Sequence, residues 1–195
     1  KPSEKTPLTA LACQALFAHT CARYTQTTGH ALPVGLLHVL VGDATVGDWL
    51  VTDTRLPLIS ATGSCRMGRL VAPKVAARLG RSLLELGGNN GVIVSDKADL
   101  EVALPAMLFG AVGTCGQRCT TIRRVIAHTR IYAAVLERLR TAYQHLAAQG
   151  IGNPLEAGTL VGPLIDQAAF AAMQHALDAA RHQGGTVFFG QRVLE

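Results

Sequence analysis

Apolar positions along the chain follow two alternating periods, and the switches between them mark out its elements. Leu8, Leu11, Ala12, Ala15 and Leu16 recur at helical spacing behind Thr6 and Pro7, a cap and first-turn pair, which predicts a helix from Pro7 to about Tyr24. Leu36 to Val41 reads as a buried strand, Ala44 to about Thr52 as a short helix and Leu56 to Ala61 as another strand. A turn at Thr62, Gly63 and Ser64 leads into a predicted helix from about Arg66 to Leu79, stopped by Gly80. Pro73 is at odds with that helix, because an interior proline costs about 3 kcal/mol or more. Leu83 to Leu86 and Val92 to Ser95 read as strands separated by a break at Gly87 and Gly88, and Asp99 caps a helix from Leu100 to about Val112. Then follow a strand from Ile122 to Ala127, a helix from Tyr132 to Gln149 and a Gly/Pro-rich connector through Pro163. A helix from Asp166 to Gln183 and a strand at Thr186 to Phe189 complete the pattern. Alternating helices and strands without repeats or low-complexity tracts predict an α/β fold.

Composition narrows the class. The 195 residues are 49% apolar and 16% charged, with no uncharged apolar run of membrane-spanning length, so a soluble protein without a transmembrane helix or secretory signal is expected. That length suffices for one substantial core or two small ones. The five cysteines are odd in number and form no C-x-x-C pair, which argues against a disulfide framework or zinc ribbon and for a reducing, cytoplasmic setting. Cys115 and Cys119 could share a helix face and join His128 around a metal, but no carboxylate or second imidazole lies nearby in sequence, so no metal is expected. The net charge of +5 is modest, and Arg118, Arg123 and Arg124 do not alternate with aromatics, so no nucleic-acid groove is expected.

Three places carry candidate chemistry. Cys119, in GQRCTT, is a candidate thiol nucleophile. A thiol attacks only as thiolate, and Gly113, Gly116, Gln117 and Arg118 supply close backbone approach and a fixed cation. Glu85, in LELGG, is a candidate base. Residue type and spacing alone leave an ordinary buried cysteine equally open, and by themselves favour a strand-end surface residue for a lone glutamate. Gly63 and Ser64 stand at a helix N-terminus, an anion-binding arrangement, but their G-x-x-x-x-G spacing departs from the dinucleotide fingerprint and a plain βα turn would look the same. Lys1 and Glu4 would by themselves be a charged chain end.

The segments KPSEKTPLTAL, ATGSCRMG, RSLLELGGNN, LFGAVGTCGQRCTTIRR and GNPLEAGTLVGPLID stand in the order found in the aldehyde dehydrogenase superfamily, which the whole chain resembles. Asn89, Asn90, Arg118, Thr120 and Thr121 make it similar to the antiquitin-type branch, which oxidises α-aminoadipic semialdehyde. The resemblance implies part of a Rossmann-like NAD-binding domain over residues 1–87, followed by the first part of the α/β catalytic domain over 88–195. It implies that Cys119 attacks a small-molecule aldehyde to give a thiohemiacetal and then a thioester. Glu85 would activate the hydrolytic water, and the Cys119 N–H would be an oxyanion donor. Arg118 would read the distal carboxylate of the substrate. Gly63 and Ser64 would carry the cofactor pyrophosphate, Lys1 and Glu4 the adenine-side ribose hydroxyls, and Gly42 would lie beside the adenine. Leu86 completes the implied cofactor contacts. A carboxylate at Glu4 favours NAD, while Arg66 leaves NADP open. The parent would be a homo-oligomer, a dimer or tetramer. Family members are far longer, so an internal fragment is expected. It would lack the first half of the dinucleotide domain, the second oxyanion donor and the oligomer-building arm, and would show no turnover alone. A broad-specificity aldehyde dehydrogenase of another branch, or a non-catalytic module, are the competing readings.

Overall fold

Each half of the chain builds one β–α–β unit around its own small core. The computed structural model describes residues 1–189 and divides at Leu86/Gly87 into two compact units.

In the first unit, α1 (Pro7–Thr28) begins at Pro7 as expected and runs one turn further than its apolar spacing suggests, ending on Gly29 in the left-handed conformation. The Thr6 side chain makes no cap bond. Helix α2 (Ala44–Thr52) is capped by Asp43, whose carboxylate accepts the Thr45 N–H. Strand β1 (Leu58–Thr62) and β2 (Arg81–Glu85) pair in parallel, with Thr62 opposite Glu85, and α3 (Cys65–Ala77) crosses between them. Val51, Val71 and Val75 form the core, with Ile59, Met67 and Leu84 packed against them. Helix α3 continues through Pro73, giving up the bond that a residue-73 N–H would donate one turn back. It stops earlier than its pattern predicts. Leu79, not Gly80, takes the left-handed turn at φ 58°, and the Gly80 N–H closes the helix on the Val75 carbonyl at 3.0 Å. A Cβ at position 80 would lie 2.8 Å from the Arg78 guanidinium and 3.1 Å from Val75 Cγ1, so a larger residue there would have to displace both side chains.

Residues 36–41 are not a strand. The segment finds no ladder partner among the described residues, and its Val39 N–H is taken by Gln14 Oε1 at 2.5 Å. An apolar run specifies burial only where a neighbouring strand exists to take its N–H and C=O groups, and here Leu36, Leu37, Leu40 and Val41 stay exposed.

The second unit repeats the plan. Strand β3 (Asn90–Val94) and β4 (Ile122–Ala127) pair in parallel, with α4 (Leu100–Val112) between them in sequence. Val94, Leu104, Met107 and Val135 form the core, Val135 coming from α5 (Tyr132–Gln149). Asp99 caps α4 by accepting the Glu101 N–H at 2.9 Å, and Asp166 caps α6 (Gln167–His182) by accepting the Ala169 N–H at 2.8 Å. The Ile122 side chain occupies the space that a Cβ at Gly110 would fill, so α4 and β4 approach closely there. Residues 186–189 are not a strand either. Phe189 stacks on Tyr143 with ring centroids 6.1 Å apart, and Phe188 lies under the Arg140 guanidinium at 4.6 Å. Both aromatics are committed to α5 rather than to a sheet.

Candidate active site

The sequence between α4 and β4 folds as an irregular loop because glycine and small polar residues replace the apolar repeat. Helix α4 ends at Val112 and a single 3₁₀ turn, Gly113–Gly116, carries the chain on. Thr114 and Cys115 sit at φ 54° and 53°, and Gly116 at 70°, so the backbone is left-handed for three residues before Cys119. Cys115 and Cys119 therefore do not lie along one helix face. Among the described residues no group of three or more His, Cys, Asp or Glu is placed to hold a metal ion.

Cys119 is exposed in the turn after this reversal, and both peptide groups flanking it are held. The Thr121 N–H donates to the Arg118 carbonyl at 3.2 Å, and the Arg118 N–H donates to the Thr121 hydroxyl at 3.1 Å. Thr121 is the buried polar residue of the chain among those described. The Asn90 side-chain amide donates to the Cys119 carbonyl at 2.7 Å and to the Thr121 carbonyl at 3.1 Å. In a trans peptide the N–H points opposite to the C=O. With the Arg118 carbonyl turned inward to Thr121, the Cys119 N–H faces away from the turn. It has no protein acceptor among the described residues, which suits it to meet an oxyanion.

The other thiol differs. Cys115 is half-buried, and burial pushes its pKa up, leaving less thiolate at neutral pH. Gln117 braces the same loop. Its amide nitrogen donates to the carbonyls of Thr114 at 3.2 Å and Pro163 at 3.4 Å, and its amide oxygen accepts the Ile165 N–H at 2.9 Å. Arg118 folds back on the end of α4. Its Nε donates to Thr114 Oγ1 at 2.8 Å, and its guanidinium carbon lies 5.4 Å from the centroid of the Phe109 ring. The two terminal nitrogens have no hydrogen-bond partner among the described residues, so one edge of the planar fork is held and the other remains available to a carboxylate.

In the first unit the candidate cofactor residues fall into two groups. Gly63 and Ser64 form the turn between β1 and α3, with Ser64 as N-cap accepting the Met67 N–H at 3.1 Å. Glu85 is exposed at the carboxyl end of β2, and its carbonyl accepts the Gly63 N–H at 3.0 Å. The turn and the glutamate thus share the carboxyl edge of a parallel pair, where α/β folds bind ligands. Leu86 packs into the gap left by Gly68, whose added Cβ would lie 2.5 Å from the leucine side chain. Lys1 pairs with Glu4 at 3.4 Å. A backbone N–H and the lysine ammonium hold the Glu4 carboxyl below its ordinary range, so it is an anion at neutral pH. Gly42 lies against Val46 at the start of α2, where an added Cβ would clash at 2.4 Å.

The anchoring work of Asn90, Thr121 and Gln117 was not legible in the sequence as such. An asparagine at the head of an otherwise apolar strand was the signal available for the first of them.

The model of the aldehyde dehydrogenase family matches residues 1–195, and the chain belongs to that family. It is 44% identical over 195 residues to aldehyde dehydrogenase family 7 member A1 of Pisum sativum, covering 100% of this chain and 37% of that protein. It is 43% identical over 164 residues to alpha-aminoadipic semialdehyde dehydrogenase of Mus musculus, covering 84% of this chain and 30% of that protein. Among solved structures, a betaine aldehyde dehydrogenase point mutant from Staphylococcus aureus in complex with NAD+ superposes with TM-score 0.87 at 27% identity, over 100% of this chain and 37% of that one. A lactaldehyde dehydrogenase gives TM-score 0.87 at 32% identity, over 100% of this chain and 38% of that one. The chain thus spans well under half the length of the relatives it matches. No helix among the described residues is long and apolar enough to cross a membrane.

Proposed function

We propose that this chain carries the nucleophile, the base and part of the cofactor site of an NAD-dependent aldehyde dehydrogenase acting on α-aminoadipic semialdehyde. The observation that carries this reading is Cys119 itself: an exposed thiol whose two flanking carbonyls are fixed and whose N–H is turned outward.

In this reading the Cys119 thiolate adds to the aldehyde carbon, and the oxyanion of the thiohemiacetal meets the Cys119 N–H. Arg118 offers the open edge of its guanidinium to the far carboxylate of the substrate, which sets chain length and charge preference. When bound, a nicotinamide would accept the hydride that the thiohemiacetal carbon gives up, which leaves a thioester on Cys119. Glu85 then takes a proton from the water that attacks the thioester, releasing the carboxylic acid and the thiol. The residues present fit a dinucleotide. The Ser64 hydroxyl accepts from Met67 and keeps its own proton to donate to a phosphate oxygen, at the positive end of α3. The anionic Glu4 suits ribose hydroxyls and opposes a 2′-phosphate, hence NAD rather than NADP. Residues up to about Gly87 would belong to the cofactor domain and those beyond it to the catalytic domain. The five cysteines, odd in number and without a C-x-x-C pair, are in keeping with a reducing compartment such as the cytoplasm.

The test is to assay the full-length gene product with α-aminoadipic semialdehyde and an uncharged aliphatic aldehyde, each with NAD and NADP. The expected result is preference for the semialdehyde with NAD, abolished by Cys119→Ser and largely kept by Cys115→Ala. Comparable losses from both substitutions would defeat the single-nucleophile assignment.

A further inference from the structure

The structure assigns to Asn90 a part in the reaction. It is a positioning residue for Cys119 that acts through the backbone of the nucleophile loop. This rests on the reading of Cys119 as the nucleophile.

Asn90 opens β3 and pairs with Ile122, the first residue of β4 after the loop. The β3–β4 register slips between Asn90 and Gly91, so that Gly91 pairs with Arg124 and Arg123 is the extra residue of a bulge. Bulges re-aim chain and side chains at sheet ends, and this one stands where the loop rejoins the sheet. From there the Asn90 amide reaches two carbonyls of the loop, those of Cys119 and Thr121. Two acceptors facing one side-chain amide determine its orientation, because only the NH₂ end can satisfy both. No other described donor to the Cys119 carbonyl exists, so Asn90 alone fixes the peptide following the nucleophile. The peptide preceding it is fixed by Thr121, whose carbonyl is the other group that Asn90 holds.

Asn90 is itself held in place. A Cβ at Gly88 would lie 2.8 Å from the Asn90 side-chain oxygen and 3.2 Å from the Cys119 carbonyl, so the backbone of residue 88 passes close beside the clamp and only glycine allows it. Arg123 Nε donates to the Gly88 carbonyl at 3.2 Å, and Arg124 donates from Nε and its terminal nitrogen to the Asn89 carbonyl at 3.2 and 2.7 Å. Two arginines of β4 therefore secure the residues on which Asn90 stands, and Asn90 secures the loop that precedes β4. The result is a closed loop of contacts. Loss of its central amide frees the Cys119 peptide, and with it the direction of the sulfur and of the N–H that meets the oxyanion. Misplacement of reacting groups by about 1 Å costs on the order of 10²-fold in rate.

The experiment compares Asn90→Asp and Asn90→Ala with the wild-type full-length protein. Aspartate has the same shape but offers no donor when ionised and one O–H when protonated, whereas alanine offers none at any pH. The readouts are kcat, KM for cofactor, and hydrogen exchange of the Arg118 and Thr121 amides corrected for intrinsic rates, each across pH. Near neutral pH both variants are expected to lose about 10²-fold in kcat with KM for cofactor within a few-fold, and to exchange faster at the Arg118 and Thr121 amides but not along the β3–β4 ladder. As pH falls, Asn90→Asp alone should regain loop protection and part of the lost rate relative to wild type. A residue that merely fills space would give Asn90→Asp wild-type behaviour throughout. That result, or identical flat pH responses in both variants, would overturn the assignment while leaving the enzyme reading intact. A wild-type protein without Cys119-dependent aldehyde oxidation would overturn the enzyme reading, and the positioning role with it.

Discussion

Thr121→Val tests whether the turn carrying Cys119 is held by a specific hydrogen bond or by packing. The two side chains have nearly the same shape, so the substitution keeps the methyl and replaces the hydroxyl with a second methyl. What disappears is the acceptor for the Arg118 N–H, 3.1 Å from Thr121 Oγ1. An unsatisfied buried donor costs about 1–3 kcal/mol. The Arg118 amide is only partly buried, so water recovers some of that and the lower half of the range, about 1–2 kcal/mol, applies. That corresponds to about 5- to 30-fold in the local opening equilibrium. Thr121→Ser is the matched control, because it keeps the acceptor and loses a methyl worth about 0.8 kcal/mol. Hydrogen exchange resolved at Arg118 is the assay. The expected outcome is acceleration in the valine variant and little change in the serine variant, with similar small losses in global stability for both. Equal acceleration in both, or none in the valine variant, would refute the hydrogen-bond account.

Other outcomes follow from the same geometry. Glu85→Gln should give a burst of reduced cofactor without sustained turnover, because an amide cannot take the proton of the hydrolytic water, and steady-state rates within a few-fold of wild type would remove Glu85 from that role. Arg118→Ala should raise KM for the carboxylate-bearing semialdehyde by about ten- to a hundred-fold relative to an uncharged aldehyde of similar length, the size of a charge-assisted pair, and equal effects on both substrates would assign Arg118 to general activation. The Asp53 carboxyl is held at about 2 against an ordinary 3.8 by hydrogen bonds from the Arg55 side chain and backbone N–H. Its folded value is depressed, so its stabilising effect is present above pH 3.8 and lost as pH falls through about 2. In Arg55→Ala an NMR titration should show the midpoint moving up toward 3.8, and an unmoved midpoint would mean that the guanidinium is not the cause.

Where an element's own residues contained its start signal, its limits were legible from sequence. Asp99 and Asp166 marked α4 and α6, and the glycine and serine before α3 marked its first turn within a residue. The segments at 36–41 and 186–189 were misread for a common reason. Their apolar, β-branched or aromatic residues suit a strand, but a strand is a property of two segments, and the second is not written in the first. Cys119, Glu85, Arg118 and the Gly63–Ser64 turn could be picked out because each carries its chemistry in its own side chain or backbone freedom. Two of the residues that hold the nucleophile loop act from far along the chain. Asn90 reaches Cys119 across 29 residues and Gln117 reaches Ile165 across 48, and no local pattern encodes such a contact.

Leu79 has a consequence away from the site. A leucine held at φ 58°, 95% exposed, accepts left-handed strain of about 1–2 kcal/mol and buries almost nothing in return within this chain. Relief of that strain places a reserve of stability at the far end of α3 from the Ser64 turn. Glycine or asparagine there could offset losses incurred when the loop around Cys119 is altered, so that variants too fragile to purify in the native background become accessible to experiment.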